Sequence, residues 1–179
     1  MVRWFVSSVV MFMLSMGLYA GEFSKVATSE PELIQKGEEK NYCPICGMNL
    51  TQYYKTSHGA ILSDGTAKQY CSIRCLAVDW EAIESRLVKI VVTDVKSEKL
   101  IDAKKAFYVI GSKIPGTMSM VSKLAFEKEE DAKVFIKENG GELGTFEIAF
   151  AKARASLETD VDEFVKKKQK GLYPMGEKI

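Results

Sequence analysis

Histidine is almost missing: His58 is the only one in 179 residues. Any catalytic arrangement that needs an imidazole rests on that residue, and neither a serine-nucleophile motif nor a pair of acids accompanies it. An excess of one charge is missing too. Lysine and arginine total 25 against 24 for aspartate and glutamate, so the formal charge of +1 gives no electrostatic case for nucleic acid. Cysteine is scarce, with four in all, and none stands near Ala20, where a lipoprotein-type anchor would need one. The hydrophobic content of 46% is that of a globular protein with a real core, one compact domain or two small ones.

Residues 1–20 begin with Arg3, run through the apolar Trp4-Phe5-Val6 and Val9-Val10-Met11-Phe12-Met13-Leu14, and close on Ala20. A short basic start, an apolar stretch and a small residue are the pattern of a secretory signal, cleaved after Ala20. An uncleaved N-terminal anchor is the alternative, because residues 4–20 are just within spanning length. Both readings place the folded part in the periplasm. Residues 21–41 are polar, with Pro31 and Gly37, and are expected to be a mobile linker with at most a short helical turn.

The four cysteines form two close pairs, Cys43-Pro-Ile-Cys46-Gly-Met48 and Cys71-Ser-Ile-Arg-Cys75, and Met118-Ser-Met120 follows later. Thiolates and thioethers are soft donors, so this clustering favours Cu(I), with Zn(II) second. In an oxidising compartment two disulfides are the plain alternative. Against it, Cys-Pro-Ile-Cys followed by Gly47 has the form of a metal knuckle, whose turn points both sulfurs to one side. A redox dithiol would need this motif to open a helix after a buried strand, and residues 31–42 are too polar for that strand. Cys75 is expected in the first turn of a helix, where the partial positive charge eases formation of the thiolate. Met118 and Met120, two apart on an expected strand, face one side, though core filling is the alternative for both. His58 is read as an ordinary strand residue near the cluster, with a metal-ligand role as the alternative, and Met175 as a tail residue.

Hydrophobic periodicity predicts an α+β fold of two tandem ββαβ units with a C-terminal helix. In the first unit, residues 57–62 and 66–70 are strands joined at Asp64-Gly65, Ile73 to Leu87 carries a helical apolar stripe, and residues 88–92 are a β-branched strand. In the second, residues 106–110 and 119–126 are strands and residues 129–137 a helix stopped at Gly140-Gly141. The alternation of Phe146, Ile148 and Phe150 gives its last strand. Leu157, Val161, Phe164 and Val165 then mark an amphipathic helix with a lysine-rich outer face. The domain so defined covers residues 42–151, in units of about 42–96 and 104–151, and residues 152–179 form the final helix and tail.

The Cys43-Pro-Ile-Cys46-Gly-Met48 element, the paired strands, and Gly140-Gly141 after an acidic-to-apolar helix resemble the NosL family of nitrous oxide reductase accessory proteins. The resemblance covers roughly residues 42–151 and implies an extracytoplasmic, non-enzymatic Cu(I)-binding protein of two ββαβ units. It also implies that Met118 is a ligand and that Met120 fills the second donor slot two positions on. The Tyr70-Cys71-Ser-Ile-Arg-Cys75 stretch is similar instead to the TRASH and YHS metal-binding modules. The implied partners are apo-nitrous oxide reductase or another copper enzyme, and a membrane transporter complex. Three function classes follow: a copper chaperone acting by ligand exchange, a four-cysteine zinc interaction module, and a thiol oxidoreductase using Cys43 and Cys46. The first is the expectation, with Cys43, Cys46, Met48, Cys71, Cys75, Met118 and Met120 as ligands. A dimer sharing one metal stays open.

Overall fold

The computed structural model describes residues 23–160. The signal or anchor, Met175, and the Val161, Phe164 and Val165 part of the expected final helix lie outside the described residues. Among the described residues, no helix is long and apolar enough to cross a membrane.

The first unit is ββαβ as its sequence pattern predicts. Strands β1 (His58–Leu62) and β2 (Ala67–Tyr70) form an antiparallel hairpin, α1 (Ile73–Ile83) follows, and β3 (Leu87–Thr93) returns beside β1. Gly65, at φ +80°, makes the hairpin turn, and the Asp64 carboxylate accepts from the Thr66 N–H at 2.9 Å. The apolar stripe of α1 buries Ile73, Leu76, Ala77 and Ile83 against this sheet. A three-residue edge strand, β4 (Leu100–Asp102), was not foreseen; it extends the sheet to the order β2-β1-β3-β4.

The second unit pairs β5 (Phe107–Ile110) with β6 (Lys123–Phe126), then α2 (Glu129–Asn139), then β7 (Glu142–Gly144), in the sheet order β6-β5-β7. Three acids occupy the first turn of α2 and Gly140, at φ +68°, ends it. One expectation fails here. Residues 146–150 are not a strand but the start of α3 (Phe146–Ala155). Phe146, Ala149 and Ala153 recur at helical spacing and are buried, Ile148 points outward, and Phe146 stacks on Phe150 at 5.4 Å. A five-residue alternation fits both periods, and burial of an aromatic pair one turn apart selects the helix. The closing strand is β7, whose Glu142 and Leu143 are exposed, so no apolar alternation signals it. Helical geometry resumes at residues 157–160.

The two sheets share one main core containing Tyr70, Leu76, Tyr108 and Phe146, and a smaller cluster forms around Val109, Leu124 and Phe126. Between them, Asp94 bridges to Ala125 in parallel, and the Asp94 carboxylate accepts from the Glu127 N–H at 3.0 Å. His58 is a second tie. Its ring lies 3.1 Å by Nδ1 from the Thr56 carbonyl and 3.1 Å by Nε2 from the Tyr108 hydroxyl. Nδ1–H therefore donates to Thr56 while Nε2 accepts from Tyr108, which occupies both nitrogens of a neutral ring.

Burial pushes the His58 pKa down to about 4 against the pull of the Thr56 carbonyl. The unfolded chain, near 6.5, thus takes the proton first as pH falls. This contribution to stability is intact above about pH 6.5 and is lost on descent through about pH 4, a loss of about 3 kcal/mol. Denaturant titrations from pH 7 to 4 are expected to show that extra slope in the native chain and not in His58→Gln. Parallel slopes would refute the assignment.

Residues 23–41, expected as a mobile linker, contain no regular element yet lie against the body as a strap. The Ile34 N–H donates to the Gln69 side chain at 2.9 Å, and the Gln69 N–H donates to Gln35 at 2.9 Å. The Gln35 amide in turn donates to the carbonyls of Glu39, Lys40 and Tyr42. Gly59 admits the strap, since a Cβ there would fall within 2.4 Å of the Ile34 side chain.

Candidate metal centre

The first cysteine pair sits in a turn closed by the Tyr42–Asn49 bridge. The Cys43 N–H donates to the Met48 carbonyl at 2.9 Å, and the Gly47 N–H returns to the Cys43 carbonyl at 2.8 Å. Gly47 holds φ +72°, a left-handed conformation that reverses the chain directly after Cys46. This is the knuckle the sequence predicts, and it opens no helix, so the redox-dithiol geometry is not formed.

The second pair comes from the junction of β2 and α1. Cys71 follows the last residue of β2, Ser72 is the N-cap of α1, and Cys75 lies in the first helical turn. The Cys71 carbonyl accepts from the Thr56 hydroxyl at 2.8 Å, fixing the backbone at this corner. A strand end and a helix start thus face the knuckle.

All four Sγ atoms lie within 4.8 Å of one another. The sulfurs of Cys46 and Cys71 are 3.5 Å apart, those of Cys71 and Cys75 3.7 Å, and those of Cys75 and Cys46 3.7 Å. With a metal–sulfur bond of about 2.3 Å, a tetrahedral set has edges of about 3.8 Å. The spacing therefore suits one shared cation, and the thiols are free rather than bridged. Cys71 also donates to the Met48 thioether at 3.9 Å, so a fifth soft atom borders the cluster. Cys43, Cys71 and Cys75 are buried, while Cys46 and Met48 are half-buried and form the accessible side.

The four thiols divide electrostatically. Hydrogen bonds from Cys46, then Cys71 and Cys75, push the Cys43 thiol far down. Cys46 is pushed up by Cys43, but donation from Cys71 and Cys75 outweighs this and leaves it below the usual thiol range. Cys71 and Cys75 are pushed up by Cys43 and Cys46, with burial acting the same way. The neighbouring Cys43 and Cys46 sulfurs, and then burial, push Cys75 up against the lowering that a helix N-terminus supplies. A cation entering the cluster replaces these shared protons.

The other predicted ligands stand differently. Met118 is half-buried against the main core at φ +52°, in a bent segment rather than on the expected strand, which begins only at Lys123. Met120 is 44% exposed, and its N–H donates to the Asp160 carboxylate at 2.9 Å. The same-side placement expected of the two methionines is therefore not formed on a strand. Next to them, the Thr117 hydroxyl lies 2.9 Å from that of Thr56, which in turn donates to the Cys71 carbonyl. His58, with both nitrogens engaged, offers no free donor. Sequence reading missed Tyr53, which packs against the core that holds Cys43, Cys71 and Cys75.

Comparison with known proteins follows the same geometry. The chain is 33% identical over 147 residues to the copper-binding lipoprotein NosL of Stutzerimonas stutzeri, covering 75% of each. Its fold matches the crystal structure of the copper chaperone NosL from Shewanella denitrificans with a TM-score of 0.51 at 23% identity, over 65% of this chain and 96% of that one. The NosL family profile matches residues 35–149, a span that contains both cysteine pairs, the two sheets and the start of α3, and by this match the chain belongs to the NosL family.

Proposed function

We propose that this protein is an extracytoplasmic, non-enzymatic copper chaperone that holds Cu(I) in the sulfur cluster and releases it by ligand exchange. The carrying observation is the convergence of four sulfurs within 4.8 Å, with the Met48 thioether alongside. Thioether is a donor that Cu(I) accepts and Zn(II) does not seek. The Stutzerimonas relative is named a copper-binding lipoprotein, which supports both the metal and a location outside the cytoplasm.

The proposed ligand set is Cys43, Cys46, Cys71 and Cys75, with Met48 at its edge and Met118 and Met120 on the flanking segment. Cys46 and Met48 face outward, so a recipient's donors can attack there while the buried sulfurs still hold the ion. The proposed recipient is apo-nitrous oxide reductase or another copper enzyme assembled after export, with a membrane transporter complex as collaborator.

The four-thiolate geometry also favours a second reading, a structural zinc site, because it matches a closed tetrahedral set. Anaerobic titration of the reduced protein separates the two. Uptake of Cu(I) that excess Zn(II) does not displace, with Cu(I) displacing pre-bound zinc, is expected of a chaperone. Zinc that resists Cu(I) would establish the structural site instead.

A further inference from the structure

Hydrogen bonding does little to join the two stretches that carry the four sulfurs. Among the described residues, the hydrogen bonds between the knuckle and the β2–α1 corner are of two kinds: those among the sulfurs themselves, and those that pass through the side chain of Gln35.

Gln35 reaches both stretches at once. Its Oε1 accepts from the Gln69 N–H at 2.9 Å, two residues before Cys71, and its Nε2 donates to the Tyr42 carbonyl at 2.8 Å, directly before Cys43. The same Nε2 donates to the Lys40 and Glu39 carbonyls at 2.9 and 3.1 Å. This set requires an amide, because one end must accept from an N–H while the other faces three carbonyls. Its point of attachment is firm. Gln69 is fully buried, its Oε1 accepts from the Ile34 N–H at 2.9 Å, and its Nε2 donates to the Ser57 hydroxyl at 3.0 Å. Gln35 thus hangs the knuckle from the edge of the first sheet, and at the far end of these ties the Cys46 and Cys71 sulfurs stand 3.5 Å apart. A site assembled in advance spares an entering ion the cost of ordering its ligands.

We propose that Gln35 is a positioning residue of the sulfur centre: by joining the Tyr42 carbonyl to the Gln69 N–H, it keeps the knuckle against the β2–α1 corner in the metal-free protein, so that the sulfurs are assembled before an ion enters. The inference rests on the reading of the cluster as a Cu(I) site. Gln35 itself contributes no donor atom to the ion.

Two measurements on the full chain test it. The first is Cu(I) affinity under anaerobic reducing conditions, against a chromophoric Cu(I) chelator. Gln35→Glu keeps the length and an acceptor for Gln69 but cannot donate to the three carbonyls, and Gln35→Ala removes both ends. Both variants are expected to bind about tenfold or more weakly, within the range for residues that orient metal ligands. The second is brief oxidation of the reduced, metal-free protein with diamide, followed by peptide mapping of the disulfides formed. In both variants the share of bridges that cross between the two cysteine pairs is expected to fall in favour of bridges within each pair. Glu98→Asn is the control: asparagine tolerates the φ of +60° there, and the change loosens the strap's bonds at Thr28 and Ser29 while leaving Gln35 in place. It is expected to keep native affinity and a native disulfide map. Native-like affinity in both Gln35 variants, an unmoved disulfide map, or an equal loss in Glu98→Asn would overturn the proposal while leaving copper binding intact. A native chain that takes up no Cu(I) would sink the functional reading instead, a distinguishable result because the disulfide map is read without metal.

Discussion

Cys71→Ser is expected to cost more Cu(I) affinity than any other single change in this chain, beyond the roughly 10–100-fold typical of outer-shell residues. Cys71 is fully buried and is the sulfur with the most neighbours, lying 3.5 Å from Cys46, 3.7 Å from Cys75 and 3.9 Å from Met48. Serine keeps the size and the backbone contact with Thr56, but its hydroxyl is a hard donor with little affinity for Cu(I). Removing this sulfur opens the centre of the set rather than its edge. Cys46→Ser, on the accessible side, is expected to cost less, because solvent and Met48 adjoin the missing sulfur. Chelator competition checks both, with circular dichroism to show that each variant folds. A smaller loss for Cys71 than for Cys46 would invert the proposed roles of the buried and exposed sulfurs.

The second large effect is on stability and lies far from the metal. Gly141→Val should destabilise the chain by about 3 kcal/mol, the sum of left-handed strain of about 1–2 kcal/mol and overpacking of about 1–3 kcal/mol. Gly141 sits at φ +98°, and a Cβ would meet the Val109 side chain at 2.9 Å and the backbone of Ile110 and Ser112 at 3.0 Å. Neither backbone atom can yield without disturbing β5, the central strand of its sheet. For a chain of this size the melting temperature should fall by about 6–12 °C. Gly140→Ala is the control. Gly140 has φ +68° and ψ −167°, a region essentially restricted to glycine, but nothing lies within 4 Å of its Cβ position, so backbone strain on the order of 1–3 kcal/mol acts there without any clash. Equal losses at the two positions would refute the packing argument.

The contrast between these sites also shows what the sequence carries. The knuckle was legible because Cys-Pro-Ile-Cys-Gly encodes its own turn within five residues, and Gly47 at φ +72° realises it. The first ββαβ unit was legible because Asp64-Gly65 and the α1 stripe are local signals. Phe146, Ile148 and Phe150 misled because a short alternation does not distinguish a strand from a helix, and the choice was made by packing against Tyr108, 6.2 Å from the Phe146 ring. The convergence of the second cysteine pair on the first is a long-range event, suggested by chemistry and fixed only by the corner between β2 and α1. The influence of Cys43 and Cys46 on Cys75 was illegible for the same reason: a helix N-terminus is visible in sequence, whereas sulfurs that the fold brings beside it are not. The strap reads as polar linker because its attachments are side-chain amides, a carboxylate and backbone groups, which leave no periodic trace.

X-ray absorption at the copper edge, on reduced protein loaded anaerobically with Cu(I), examines the core of the account without a mutation. The expected spectrum is monovalent copper in an all-sulfur shell of three or four atoms near 2.3 Å. A shell dominated by nitrogen or oxygen, or a protein that recovers both cysteine pairs as disulfides and takes up no copper after reduction, would contradict it.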